Sequence, residues 1–239
     1  MTTKKYLSVY EKIAAEIKEG SIAPRETLPS EHDLAERFET SRETVRKALN
    51  LLSQNGLIQK VKGKGSIVLE TQKLNFPVSG LISFKELSGA MRNPSKTIVY
   101  QFGLMKPDGM LLEKMKAEPS DEIWKVVRAR EIEGERIILD KDYLNKKYVP
   151  FLSKTICENS IFEYIENELQ LNISYARKEI VVEECTEEDN EYLDINGFQH
   201  IVVVRNYIFL DDTSLFQYTE SRHRLDKFRF VDFARRAHV

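Results

Sequence analysis

The sequence predicts an α+β chain in two parts, a small helical module followed by a larger domain built on an antiparallel sheet. Three observations predict it. Apolar stripes of helical period fill the first 55 residues, and a short glycine-centred hairpin follows them. From residue 78 the texture changes to long candidate strands joined by tight turns. A chain of 239 residues accommodates one or two domains. Its 41% hydrophobic and 31% charged content is enough for packed cores and excludes a disordered chain.

The elements follow in order. Leu7, Tyr10, Ile13, Ala14 and Ile17 lie on one stripe of a helix over Tyr6–Lys18, which Gly20 and Pro24 stop. A second helix starts at Ser30, with Asp33 as an acidic partner in its first turn, and runs through Leu34, Ala35 and Phe38. Ser41 caps a third, whose Val45, Ala48, Leu49 and Leu52 face inward and which Asn55-Gly56 closes. The short gap between helices two and three is that of a helix-turn-helix. Leu57–Val61, the basic turn Lys62–Gly65 and the return strand Ser66–Leu69 complete a winged helix over residues 1–70. Residues 71–77 read as a linker and 78–239 as the second domain. Its predicted strands are Thr97–Met105, Glu122–Glu133, Arg136–Leu144, Ser174–Glu184, Gln199–Leu210 and Ser214–Leu225. Helices are predicted at Met110–Lys116, Ser160–Leu169 and Glu187–Asp194, with Ser160 and Glu163 forming a capping box.

A net charge of −2 hides an asymmetry. Residues 1–75 carry 13 basic and 10 acidic side chains, the remainder 23 and 28. Between Thr40 and Gly65 stand six basic residues against Glu43 alone. A basic segment beside an acidic domain fits a DNA-binding module joined to something else. Cys157 and Cys185 give no disulfide framework and fit a reducing compartment. With no signal-peptide core and no membrane-length apolar run, a cytoplasmic protein is expected.

The second helix of a helix-turn-helix presents its N-terminal residues to the major groove. Here that end reads Ser41-Arg42-Glu43-Thr44-Val45-Arg46-Lys47. Arg42 and Arg46, four apart, share a face, and a guanidinium can donate two parallel hydrogen bonds to a guanine. The Ser41 and Thr44 hydroxyls, with the free N–H groups of the helix start, suit phosphate oxygens. Lys62 and Lys64 flank Gly63 and bring charge to the tip of the wing. A basic, solvated face on a protein-interaction module is the rival reading, and it predicts no salt-dependent DNA affinity.

In the second domain Ser83-Phe84-Lys85-Glu86 opens a helix where backbone N–H groups can hold an anion. Arg128 and Arg130 alternate along one strand and so share a face. Spacing leaves two readings open. The arginines can bind an anion such as phosphate, or they can pair across the sheet with Asp140, Asp142 or Glu179. Ser160 could add a hydroxyl to an anion site, and Asp140 and Glu220 could accept from sugar hydroxyls. Phe84, Trp124, Phe162 and Tyr218 read as core aromatics before stacking platforms. His200 and His223 stand in no metal-ligand spacing, so neither metal nor cofactor is expected.

The motifs Leu28-Pro-Ser-Glu31, Leu34-Ala35, Ser41–Leu49, Gly56-Leu57-Ile58 and Gly63-Lys64-Gly65-Ser66 closely resemble the signature of GntR-family regulators. The resemblance implies a homodimer on a palindromic operator. It points to Arg42, Thr44 and Arg46, and to Gly65 at the wing, for DNA contacts. Ser30 and His32 stand at the start of helix two, His32 where many members carry Arg or Lys; a neutral imidazole is a weaker phosphate ligand. Ser79–Phe84, Val127–Arg130, Ser160–Ile165, Tyr218–Arg222 and Asp226–Phe230 resemble the effector domain of the HutC-type subfamily, which resembles the chorismate lyase fold. By that resemblance Ser83, Phe84, Arg128, Arg130 and Ser160 hold a phosphate, while Asp140, Phe162 and Glu220 line the sugar end. Phe162 lacks the hydroxyl of Tyr and Asp140 is shorter than the usual Glu, which implies a pocket shaped for a different or larger sugar. The likeness, which extends through Ser214–Arg236, implies an operon repressor with trehalose 6-phosphate as effector. An amino-sugar phosphate is the alternative. No pairing of residues suggests an activated nucleophile or an acid/base couple, so an enzyme is not expected.

Overall fold

The computed structural model describes residues 5–70, 81, 83–90 and 95–230. The chain divides into two compact units near residue 75. The linker expected at 71–77, residue 78, residues 79, 80 and 82 of the motif at 79–84, and the end of the chain from 231 lie outside the described residues.

In the first unit three helices, α1 (Lys5–Glu19), α2 (Glu31–Arg37) and α3 (Arg42–Gln54), precede a two-stranded hairpin, β1 (Ile58–Val61) and β2 (Gly65–Val68). The caps are those the sequence announces. Ser30 and Asp33 form a reciprocal capping box on α2, and the Ser41 hydroxyl accepts from the Thr44 N–H on α3. Ile13, Leu34, Val45, Leu49, Leu52 and Ile58 close a dry core. Each such side chain fully withdrawn from water contributes roughly 1.5–3 kcal/mol. The α1 stripe is turned slightly from expectation: Val9 is buried and Leu7 only half so. One pairing was not expected. The segment before α2 runs alongside β2, with an antiparallel bridge from Thr27 to Ile67 and a bond from the Leu28 N–H to the Ser66 carbonyl.

The second unit is a six-stranded antiparallel sheet with helices on both faces. Its elements are α4 (Phe84–Ala90), β3 (Ser95–Met105), α5 (Gly109–Met115), β4 (Ile123–Ile132), β5 (Glu135–Asn145), α6 (Lys154–Glu158), α7 (Ile161–Asn167), β6 (Ile173–Glu184), α8 (Glu187–Tyr192), β7 (His200–Leu210) and β8 (Leu215–Arg224). The strand order is β3-β4-β5-β8-β7-β6. Two hairpins supply the pairs β4/β5 and β7/β8, while β3 pairs with β4 around α5 and β6 with β7 around α8. The pair β5/β8 joins the two halves and sets Asp140 opposite Ser221. On one face Cys157, Ile161 and Ile165 of α6 and α7 pack on Val126, Leu144 and Ile208. On the other, α5 packs on Tyr143, Tyr207 and Tyr218, while Leu193 and Ile195 cover Ala129, Leu139 and Val203. Of the expected Ser160–Glu163 capping box only half is formed. Ser160 Oγ accepts from the Glu163 N–H, and the Glu163 carboxylate pairs with Lys85 instead.

Candidate functional site

On the first unit, α3 presents Arg42 and Lys47 exposed, and the wing tip presents Lys62 and Lys64 exposed around Gly63. Gly63 and Gly65 have φ of 80° and 87°, a region that glycine enters without strain. Arg46 is not free. Its guanidinium lies between Glu31 and Glu43, with Nη2 3.0 Å from Glu31 Oε2 and Nη1 3.3 Å from Glu43 Oε2. The hydrogen bond to Glu31, then the charges of both carboxylates, raise its pKa further. Glu31 therefore fixes the direction of Arg46 across the turn between α2 and α3, a role that sequence reasoning missed. Other hydroxyls are already engaged. Ser30 donates to Asp33 Oδ2 at 2.8 Å, and the Ser41 and Thr44 hydroxyls share a 2.9 Å bond. His32 is exposed and sits 3.3 Å from Glu36. A shallow groove brings Ser30 and Glu31 beside Lys60, Lys62 and Gly65. The face can thus offer cations to phosphates from both α3 and the wing.

On the second unit, Ser83, Phe84, Lys85, Arg128, Arg130, Asp140, Ser160 and Phe162 line one cavity of about 180 Å³. Its floor is the sheet and its rim the starts of α4 and α7. The two arginines are buried and paired. Arg128 Nε donates to Asp142 Oδ2 at 3.0 Å and its Nη1 to the Cys157 carbonyl at 2.7 Å. Arg130 Nε donates to Asp140 Oδ2 and its Nη1 to Thr97 Oγ1, both at 2.7 Å. The Phe84 ring lies 4.6 Å from the Arg130 guanidinium and covers it. The arginines therefore pair across the sheet with Asp142 and Asp140, as one sequence reading has it, and they also face a cavity, which leaves the anion reading open. Glu179 is exposed and takes no part.

The electrostatics follow from this pairing. Burial works against a charged Asp140, but Arg130, Arg128 and the Ser221 hydroxyl outweigh it and hold its carboxyl below the usual range. Burial pushes the Arg130 pKa down, helped by the like charge of Arg128 and opposed by Asp140. Burial likewise lowers Lys178, and pushes His223 down to about 4 against the pull of Asp140. Two arginines and Lys178 thus face two aspartates around a neutral imidazole, with Lys85 at the rim paired to Glu163. The excess is positive, which suits an anion.

Three expectations need correction. Tyr218 and Glu220 do not line the cavity. Alternation along β8 sends Gln217, Thr219, Ser221 and His223 to the cavity and the residues between them to the opposite face. There Tyr218 donates to Glu220 at 2.6 Å, and Arg205 pairs with the same carboxylate. Asp140 lines the cavity but is a partly engaged acceptor rather than a free one, since Arg130 and Ser221 each donate to one of its oxygens. The start of α4 is also partly satisfied from within, because the Ser83 N–H donates to Glu86 and the Glu86 N–H to Ser83 Oγ. Sequence reasoning missed Asn206, Gln217, Thr219 and Ser221 in the lining. Only the β5/β8 register, which no local pattern encodes, selects them.

A winged helix with exposed cations, joined to a domain with a cationic cavity, is the makeup of a ligand-responsive DNA-binding regulator. The chain belongs to the GntR family of bacterial regulatory proteins, matched over residues 5–68, and its second unit is a UTRA domain, matched over 90–229. It is 60% identical over 236 residues to the HTH-type transcriptional regulator TreR of Bacillus subtilis (strain 168), covering 99% of each chain. The effector-binding domain of the B. subtilis trehalose repressor, a solved structure, is 64% identical; the match covers 60% of this chain and 99% of that one at a TM-score of 0.56. The structure of YydK, a possible transcriptional regulator from B. subtilis, matches 98% of this chain and 100% of that one at a TM-score of 0.81 and 26% identity. The chain is a transcriptional regulator and not an enzyme. Among the described residues no helix is long and apolar enough to cross a membrane.

Proposed function

We propose that this regulator is a cytoplasmic homodimer that represses a trehalose utilisation operon and leaves its palindromic operator on binding trehalose 6-phosphate. The observation that carries the choice of sugar is the 60% identity to TreR over 99% of both chains. The cavity supports the phosphate: Arg130 has Nη2 donors without a partner among the described residues, and Lys85 and the Ser160 hydroxyl stand on the same rim. An arginine fork matches phosphate geometry better than a lysine point charge. The mechanism is a population shift: the effector binds one arrangement of the two units more tightly and so weakens operator affinity.

The test is operator binding by the full chain at fixed salt, titrated with trehalose 6-phosphate, trehalose, glucose 6-phosphate and glucosamine 6-phosphate. Release by trehalose 6-phosphate alone is expected. Tight binding that ignores it but yields to glucosamine 6-phosphate would leave the regulator standing with a different effector.

A further inference from the structure

The floor of the cavity has two ends, and only one of them is accounted for by an anion. Neighbouring strands lie about 4.8 Å apart, so β4, which carries Arg128 and Arg130, is about 14 Å from β7 across β5 and β8. At the far end the sheet register sets Asn206 of β7 opposite Thr219 of β8, and Gln217, two residues along β8 on the same face, stands one strand nearer the arginines. Two polar atoms there, Asn206 Oδ1 and Gln217 Oε1, are buried without a hydrogen-bond partner among the described residues. Burying an unpaired amide oxygen is costly, and native proteins retain few. The Gln217 amide cannot turn to relieve its own oxygen. Its Nε2 donates to Asp142 Oδ1 at 2.9 Å and to Thr219 Oγ1 at 3.1 Å, which fixes the oxygen on the other side. The Asp142 that holds it also holds Arg128, so the two ends share one rigid network.

We infer that Asn206 and Gln217 form a hydroxyl-reading subsite for the second ring of a disaccharide phosphate whose phosphate lies over Arg128 and Arg130. The chemistry is complementary: sugar hydroxyls donate, and both orphaned atoms accept. The span is complementary too. A single hexose anchored through its phosphate at β4 stops short of β7, whereas two linked rings reach it. This subsite rests on the sugar-phosphate reading and adds to it the pair of residues that separates a disaccharide from a monosaccharide.

Calorimetric titration of the full chain with trehalose 6-phosphate and with glucose 6-phosphate tests it, on the wild type and on Asn206→Leu and Gln217→Met. Asn206→Leu removes the buried oxygen at similar volume, so its melting temperature without ligand should not fall below that of the wild type. Its affinity for trehalose 6-phosphate should fall about tenfold, the worth of one good buried hydrogen bond, while its affinity for glucose 6-phosphate stays put. Gln217→Met should show the same selectivity loss. Wild-type affinity for the disaccharide in both variants, or equal loss of both ligands, would overturn the subsite and leave the sugar-phosphate reading intact. A wild type that binds neither sugar phosphate would overturn both.

Discussion

Arg128 and Arg130 show how one side chain can pair across a sheet and still face a cavity. Each spends its Nε on an aspartate of β5 and so fixes the plane of its guanidinium at the cavity floor. Removing one member of such a buried pair strands the other. Arg128→Ala should therefore cost about 3–5 kcal/mol of stability by denaturant titration. The double variant Arg128→Met with Asp142→Asn should recover most of that stability and still not respond to the effector. A double variant that responds would show that Arg128 is only a strut. His223 gives a second test. Its folded pKa of about 4 lies below the unfolded value near 6.5. As pH falls the unfolded chain takes up the proton first. The stability present above pH 6.5 should thus drain away between 6.5 and 4, by about 3 kcal/mol in all. His223→Gln should flatten that window, and an equally steep loss in the variant would place its origin elsewhere. A separate loss belongs between pH 4.5 and about 2, where Glu135 takes up a proton in the unfolded chain while its hydrogen bond to Arg224 keeps it charged in the folded one. The sequence told which residue types could make the site, and it put Arg128 and Arg130 on one face. It missed the sugar end by one position, choosing Glu220 over Thr219 and Ser221, because a shift of one residue reverses a strand's faces and only the β5/β8 pairing settles which is which.

Elements with local signals were legible, and those made by distant partners were not. The caps at Ser30, Ser41 and Ser160 and the long strands are all readable from spacing. Helix α6, at five residues, is too short to show a period, although Ser153 caps it. The strand-like run through Thr27 could not be foreseen, since it exists only because β2 lies beside it. That run makes the wing's glycines unequal. A Cβ on Gly63 would meet open space, while one on Gly65 would lie 3.2 Å from Thr27 Cγ2. Both positions hold positive φ, so alanine at either should cost about 1–2 kcal/mol. Gly65→Ala should be the worse of the two by equilibrium unfolding, and Thr27→Ser should restore part of the difference. Equal costs at the two glycines would remove Thr27 from the account.

For the molecule as a whole, the division of labour can be read in the salt dependence of operator binding. Arg46 is held by Glu31 and Lys62 stands exposed at the wing tip; on the proposed reading the first meets a base and the second a phosphate. Arg46→Ala should weaken operator binding with little change in its slope against salt, and effector affinity should be untouched. Lys62→Ala should lower the slope by about 1. The reverse assignment of slopes would exchange the two roles. The two-part design was plain from the change of texture near residue 78, and the joining of its second half was not. The central strands β5 and β8 pair along Ile138–Leu144 and Gln217–His223, which brings Asp140 to Ser221, 81 residues later in the chain. The DNA-binding unit, by contrast, closes on contacts within its first seventy residues. Loops of such length are slow to close. On the ribosome, then, the half that grips DNA can be finished while the cavity floor still lacks its last strand. A product of interrupted synthesis that stops before Leu215 carries the winged helix and a cavity floor without its β8 residues, so such fragments should bind the operator without answering the proposed effector. Faithful regulation therefore depends on translation reaching the end of β8.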